Sequence, residues 1–386
     1  MCNVTKFIKR ISLTEVLRFL IIWYVIIVNK QASMMVSFTY NKKGMNDMAK
    51  AIKLADIAEA LNVSKVTVSK ALSDKEGVSD ELREKIKKVA AEMGYRQNSI
   101  ARSLRDGYTY NIGVLIPEGF VEMYHSFYWE LYQNVLNALT RKSYYGIMEI
   151  INKDDENNKV VPRMIQDSKV DGIIVMGELK KEYIEYLNTL NDVPLVMLDT
   201  YDKNSSYDTV TSDNYYGMYL LTDYLIEMGH RNIAFVGNPR ATSSIQDRFL
   251  GFTKALLENG IDYSSNSYIS DREIGKKEIN FELPEKIPTA FACNCDSVAY
   301  ILIKKLQDKG YKVPEDISVV GFDNYLITEL SELGITTFEV DMKAMAETAV
   351  DAIIKKVHKS DYKPARRVIS GKIVIKDTVK KIEENS

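Results

Sequence analysis

Apolar side chains at Leu54, Ile57, Ala58 and Leu61 follow the spacing i, i+3, i+4, i+7, which predicts a helix with one buried face. Asn62 comes next, a residue that tolerates the left-handed backbone of an abrupt helix stop. Ser64 is placed to cap a second helix, SKVTVSKAL, with Val68 and Leu72 turned inward. Lys65, Val66, Ser69 and Lys70 then lie on its outer face, where a helix entering a major groove carries its reading side chains. A third helix is expected from Ser79 to Met93. Ser79 caps it, Asp80 and Glu81 suit the positive end of its dipole, and Gly94 stops it. Its inward stripe is Leu82, Ile86, Val89 and Met93. A short basic helix, SIARSLRDG, follows, capped by Asn98 and stopped by Gly107.

From Tyr110 the rhythm changes. The runs NIGVLIP, YGIMEII, DGIIVMG, PLVMLD, NIAFVG, TAFACN and ISVVGFD are each bounded by stretches long enough for a helix. Continuous apolar strands separated by helices predict parallel sheet covered on both faces. Seven such runs exceed what one compact sheet usually holds, so two α/β subdomains are expected. Ligands in such folds sit beyond the carboxyl ends of the strands.

The residues following those strand ends are therefore the candidate chemistry. After GVLIP come Glu118, Phe120, Tyr124, Phe127, Tyr128 and Trp129, rings that either fill a core or stack on a ligand. Asp213 and Asn214, Asp296, and Asp323 with Asn324 end other strands, and Arg248 lies on the helix after NIAFVG. No nucleophile, base and orienting group occur together, and no Walker loop or GxGxxG is present. The pattern suits binding, not turnover, and calls for no cofactor.

At 386 residues and 46% hydrophobic, the chain is long enough for two or three domains with packed cores. The formal net charge of −2 excludes a uniformly basic binder. Between Lys50 and Tyr110, however, 12 Lys and Arg stand against 9 Asp and Glu, a local excess that suits a nucleic-acid partner once the helix pattern is considered. Cys2, Cys293 and Cys295 do not form a disulfide framework. With His125, His230 and His358 scattered, Cys293 and Cys295 read as small buried hydrophobes and no metal is expected.

The first 47 residues are anomalous. Lys6, Lys9 and Arg10 precede FLIIWYVIIV, Phe19 to Val28, which has the layout of a signal peptide and is short for a membrane span. Export of a DNA-binding unit makes little functional sense. The expectation is a natural start at Met45 or Met48, with no membrane association and a cytoplasmic location.

LADIAEALNVSKVTVSKALSD, GVSDELREKIKKVAAEMGYRQNSIARSLRDG, NIGVLIP, GMYLLTDYLIEMGHRNIAFVG and PEDISVVGFDN together resemble the lactose-repressor/galactose-repressor (LacI/GalR) family of bacterial transcription regulators. The resemblance covers about residues 48 to 380. It implies an all-α helix-turn-helix headpiece (48–97), a hinge helix and linker (98–110), and an α/β core like periplasmic sugar-binding proteins (111–380). Within the core it implies one subdomain of about 111–212 and 337–362 and a second of about 213–336 and 363–380. It further implies a homodimer on a pseudo-palindromic double-stranded operator and a small effector, usually a sugar.

Carried over by position, Lys65, Val66 and Lys70 are implied to read bases, and Thr67 and Ser69 to contact phosphate or pack nearby. Asn98 belongs to the implied DNA-binding set as the hinge cap. Leu104 is the implied minor-groove wedge, flanked by Arg102 and Arg105. In the core, Phe127, Tyr128, Arg248, Asp296 and Asp323 are implied effector contacts; an arginine fork with a carboxylate acceptor suits a polyol. Three positions depart from the pattern. Lys53 replaces a Ser or Thr cap, Cys295 replaces an Asn before Asp296, and the segment from Ile269 to Pro288 leaves little room for its usual helix. The C-terminus lacks leucine heptads, so a dimer is expected and not a tetramer. An exported or membrane-anchored sugar-binding protein is the alternative, but it leaves residues 54–105 unexplained.

Overall fold

The computed structural model describes residues 52–95, 99–120, 127–190, 193–201, 207–262, 268–274, 278–325, 333–358 and 362–382. The apolar N-terminal run, Asn98 and Tyr124 lie outside them. Among the described residues no helix is long and apolar enough to cross a membrane. The chain divides into two compact units, with the boundary between Arg102 and Ser103.

The first unit holds helices α1 (Leu54–Leu61), α2 (Lys65–Leu72) and α3 (Asp80–Glu92). Asn62 ends α1 in the left-handed conformation, φ 53° and ψ 45°. Lys53 cannot accept the first helical N–H with its side chain. The Asp56 carboxylate instead accepts from the Lys53 backbone N–H at 2.7 Å, half of a capping box. Ser64 and Ser79 accept from Thr67 and Leu82 backbone N–H groups, as N-caps do. Ile57, Val68, Ala71, Ile86 and Ala90 form the deepest part of the small core, with Leu72 packed at its edge. Arg83 donates to the Lys75 carbonyl at 2.8 Å and to the Val78 carbonyl at 3.4 Å, which holds the connection between α2 and α3. Helix α4 (Ser99–Asp106) is the basic segment, and Gly107 at φ 76° supplies its stop.

The second unit contains two parallel sheets. The first has the order β10-β5-β4-β3-β1-β2, built from β1 (Asn111–Pro117), β2 (Tyr145–Ile151), β3 (Gly172–Met176), β4 (Leu195–Leu198), β5 (Asp208–Ser212) and β10 (Arg366–Ile369). The second is β6-β7-β8, from β6 (Ile233–Val236), β7 (Ala290–Cys293) and β8 (Ser318–Val320). An antiparallel pair, β9 (Thr337–Glu339) with β11 (Lys372–Val374), adjoins β8 through bridges at Thr336 and Glu339. All seven apolar runs are strands.

Helices cover both sheets. Helix α5 (Phe127–Arg141) and α12 (Met342–His358) pack together, with α12 lying across β3, β4 and β5. Helices α6 (Lys153–Asn157), α7 (Arg163–Gln166) and α8 (Lys181–Thr189) complete the first subdomain. Helices α9 (Asn214–Glu227), α10 (Ser243–Glu258) and α11 (Asp296–Asp308) serve the second. A continuous apolar cluster includes Ile112 and Val196 from the first sheet and Phe235 and Ala292 from the second. Burial of this cluster is the dominant favourable term in holding the unit together.

Two boundaries differ from the sequence reading. Residues 363–380 were assigned to the second subdomain, but Arg366–Ile369 pairs in parallel with Thr209–Ser212 of the first sheet. Asp208 explains the docking. Its buried carboxylate accepts from Arg367 Nη1 (2.8 Å), Tyr362 Oη (2.9 Å) and the Ala365 N–H (3.0 Å). The last crossover therefore follows β10. The start of the 337–362 segment is also corrected: β9 pairs with β11 at the second sheet, so the earlier crossover follows β9. Among the described residues between Ile269 and Pro288 there is no helix, and Ile269 forms a bridge to Val236 at the open edge of β6.

Candidate DNA-reading helix and effector site

Helix α2 presents polar and small apolar groups outward because Val68 and Ala71 are sealed in the core. Val66 is 64% exposed, Lys65 and Lys70 are exposed, and Thr67 and Ser69 are half-buried. Ser64 Oγ and Thr67 Oγ1 lie 2.8 Å apart, so the cap also orients the Thr67 hydroxyl. Helix α4 carries Leu104 at 82% exposure, a large apolar side chain turned to solvent. Arg105 is bound to its neighbour Asp106, Nε to Oδ1 at 2.8 Å, and Tyr110 Oη donates to the same carboxylate at 2.7 Å. Arg102 is half-buried.

In the second unit the strand ends bring Tyr128, Arg248 and Asp323 together. Arg248, 5% exposed, extends from α10 and uses all three guanidinium nitrogens. Nε donates to Asn214 Oδ1 (2.8 Å), Nη1 to the Asn294 carbonyl (2.5 Å) and Nη2 to Asp323 Oδ1 (3.0 Å). Its Cζ lies 3.9 Å from the centroid of the Phe322 ring, a cation–π contact. Tyr128 Oη donates to Asp199 Oδ2 at 2.7 Å, and the Tyr128 ring meets Phe120 edge-on at 4.3 Å. Asp323 and Asp199 act on each other electrostatically, so the groups from both sheets form one constellation.

Burial sets the charge states. It pushes the Asp323 carboxyl up to about 7, although Arg248 pulls the other way. Burial and then Asp323 raise Asp296 to about 8. Asp199 is raised by burial against the hydrogen bond from Tyr128, and the Tyr128 hydroxyl is driven well above its ordinary range by burial and then Asp199.

Two of the expected contacts also hold the fold. Asp296 is the first residue of α11; its Oδ1 accepts from Thr337 Oγ1 at 2.7 Å and its N–H donates to the Phe322 carbonyl at 2.9 Å. It braces the strand ends beside Asp323. Phe127 belongs to the continuous core cluster, touching Tyr128 and Tyr325 edge-on. Sequence reasoning did not single out Asp199, Asn294, Asp271 or Tyr325. Asn294 Nδ2 donates to Asp271 Oδ2 at 2.9 Å, which steadies the carbonyl that Arg248 uses. Tyr325 Oη and Ser297 Oγ are 2.7 Å apart. Asp199 and Asn294 carried a signal, as the polar ends of the apolar runs PLVMLD and TAFACN.

Cys295 stands at the N-cap of α11 without a side-chain cap bond, and burial raises its thiol to about 11 against the pull of Arg272. Cys293 is fully buried in the second subdomain's outer core. Among the described residues no group of His, Cys, Asp and Glu could hold a metal.

Residues 53–98 match the bacterial regulatory proteins of the lacI family, and residues 222–379 match the periplasmic binding protein-like domain. The HTH-type transcriptional repressor PurR of Vibrio atlanticus (strain LGP32) is 30% identical over 333 residues, covering 85% of this chain and 98% of that protein. The chain belongs to the LacI family. Like the other members it is a DNA-binding transcriptional regulator, not an enzyme. Two solved structures share the fold. The lac repressor dimer bound to operator and the anti-inducer ONPF has a TM-score of 0.66 at 21% identity, over 86% of this chain and 100% of that one. The transcriptional regulator CelR in complex with cellobiose has a TM-score of 0.60 at 20% identity, over 85% and 99%. Within the LacI family frame, α1 to α3 are the helix-turn-helix headpiece and the two sheets are the effector-binding core.

Proposed function

We propose that this LacI-family regulator represses carbohydrate-utilisation genes in the cytoplasm, binding a pseudo-palindromic operator as a homodimer and responding to a sugar. The observation that carries the sugar reading is the Arg248–Asp323 pair at the junction of the two sheets. A guanidinium donor and a carboxylate acceptor 3.0 Å apart match the alternating acceptor and donor character of a polyol. A sugar hydroxyl inserted there satisfies both partners.

Lys65, Val66 and Lys70 read base edges, Thr67 and Ser69 hold phosphates, and Asn98, Arg102 and Arg105 support a hinge whose Leu104 wedges the operator centre. Phe127, Tyr128, Arg248, Asp296 and Asp323 form or brace the effector site. Effector binding changes the closure of one subdomain on the other and thereby the hinge geometry that DNA requires. The coupling is reciprocal: an effector that weakens operator binding is itself bound less well by the operator complex. CelR was solved with cellobiose, which favours a saccharide, and the lac repressor was solved as a dimer on its operator.

The test is binding of the full chain to DNA spanning its own promoter, with and without a panel of sugars. Release by one sugar supports an inducible repressor. Binding that requires a sugar replaces induction with corepression, and absence of specific binding overturns the operator assignment.

A further inference from the structure

We infer that the effector of this site carries an amino group, held as an ammonium by Asp199 against the rings of Tyr128 and Phe120. The inference rests on the effector reading above and narrows it from sugars in general to aminated ones.

The argument begins with how the buried charges are matched. Arg248 has committed each guanidinium nitrogen elsewhere, to Asn214, Asn294 and Asp323. Arg272 is likewise bound to Asp271, which is fully buried. Asp296 has the Thr337 hydroxyl. Asp199 is different. It is 7% exposed, its Oδ2 receives one bond from the neutral Tyr128 hydroxyl, and its buried Oδ1 has no hydrogen-bond partner among the described residues. A buried carboxylate whose donor is a phenol is a costly arrangement: Arg248 attracts it from a distance, but burial outweighs that pull and the Tyr128 bond together.

The backbone reinforces this. Asp199 sits at φ 63°, in the left-handed region, which aspartate enters more readily than most side chains but still at a cost. The turn is held by its N–H on the Val210 carbonyl at 2.8 Å and by the Gly177 N–H on the Leu198 carbonyl at 3.0 Å. Strain of this kind concentrates where a side chain must be aimed.

The walls beside Asp199 are aromatic. Tyr128 and Phe120 meet at 4.3 Å, and Gly177 allows both rings to approach the end of β3, where an added Cβ would stand 3.2 Å from Tyr128. Glu178, the residue after Gly177, is close enough to interact electrostatically with Asp199 and accepts the Ser243 N–H at 3.1 Å. A buried carboxylate flanked by aromatic rings favours an ammonium over a hydroxyl, since the cation forms an ion pair that a hydroxyl cannot. A hydroxyl could occupy Oδ1 but would add no positive charge to the distant pull of Arg248. An aminated sugar supplies its hydroxyls to Arg248 and Asp323 and its ammonium to Asp199.

The test is calorimetric titration of the full chain, near neutral pH, with three hexosamines (gluco, galacto and manno), each beside its parent hexose and its N-acetyl derivative. At least one hexosamine is expected to bind roughly tenfold or more tightly than both of its neutral counterparts. Acetylation removes the charge while keeping the ring, so this comparison needs no variant. Asp199→Asn is expected to bring the affinities of the charged and neutral members together. Neutral sugars binding as well as or better than the hexosamines overturn the ammonium assignment and leave the effector reading intact. No binding by any member overturns the sugar reading, and the ammonium assignment with it. A preference that survives in Asp199→Asn overturns the assignment to Asp199.

Discussion

Arg248 Nη2 lies 3.0 Å from Asp323 Oδ1, and both side chains are 7% exposed. The pair joins a helix to the strand end beyond β8 in the second subdomain, where Tyr128 and Asp199 of the first subdomain interact with it. Removing one partner of such a pair costs roughly 3–5 kcal/mol because the other charge stays buried. Replacement by a ligand group has no such penalty. The pair is therefore suited to exchange partners and unsuited to be lost.

Arg248→Ala is expected to abolish the effector response while operator binding persists, measured by DNA fluorescence anisotropy with and without effector. Arg248→Lys should fail to restore it. A single ammonium cannot serve Asn214, the Asn294 carbonyl and Asp323 from the directions the guanidinium uses. An unchanged response in Arg248→Ala would remove this residue from the site.

Leu104→Ala should weaken the operator complex and leave effector affinity in the free protein unaltered. Full burial of a leucine contributes about 1.5–3 kcal/mol, so a loss of roughly tenfold to a hundredfold is expected. The side chain is already 82% exposed, so the substitution creates no cavity and should not unfold the chain. Equal operator affinity in the variant contradicts a wedging role.

Lys65 and Ser69 have distinct proposed roles on α2, and one experiment separates them. Lys65→Ala should cost about 1–3 kcal/mol on the cognate operator and relax preference at one base position. Ser69→Ala should weaken all sequences about equally. The readout is competition among operators that differ at single positions. Identical selectivity profiles for the two variants would refute the division between base reading and phosphate contact.

The headpiece was legible because its signals are local: the i, i+3, i+4 spacing, the caps Ser64 and Ser79, and the stops Asn62 and Gly94. The seven apolar strands were legible because both faces are buried. Strand β5, DTVTS, escaped that count because its buried positions carry hydroxyls. The sequence RRVI at 366–369 carries charges that mask an edge strand, and its docking depends on the distant Asp208. Within the site, Arg248 and Asp323 were visible as charged residues on the helix after β6 and at a strand end. Asp199 showed only as the polar end of PLVMLD; its positive φ and its missing partner arise from the tertiary arrangement.

Gly251→Ala tests how closely α9 and α10 pack. A Cβ added there would lie 2.0 Å from the Tyr215 carbonyl oxygen and 3.0 Å from the Tyr219 nitrogen, both backbone atoms. Alanine gains up to about 1 kcal/mol of helix propensity. Overpacking costs roughly 1–3 kcal/mol, and backbone cannot swing aside as a side chain can. A lower denaturation midpoint is expected; a higher one would mean that the two helices separate without cost.

The stability of the core should fall as pH rises from about 6.5 to about 8.5, because burial outweighs even the Arg248 ion pair in setting the proton affinity of Asp323. Asp323 and Asp296 are raised by burial to about 7 and about 8, whereas unfolded aspartates titrate near 4. Between those limits the folded chain binds protons that the unfolded chain has released, so each step upward in pH favours unfolding. Their contribution is complete below the unfolded value and lost as pH passes the folded values. His230 acts in the other direction. Burial lowers it, and its contribution is lost as pH falls below its ordinary value near 6.5, so the window is best read above that point. Thermal unfolding at the two ends of the window measures the slope. Asp296→Asn should flatten it, since the amide oxygen still accepts from Thr337 but no proton is exchanged. A slope that is unchanged in Asp296→Asn and in Asp323→Asn would show that neither carboxyl is protonated in the folded chain.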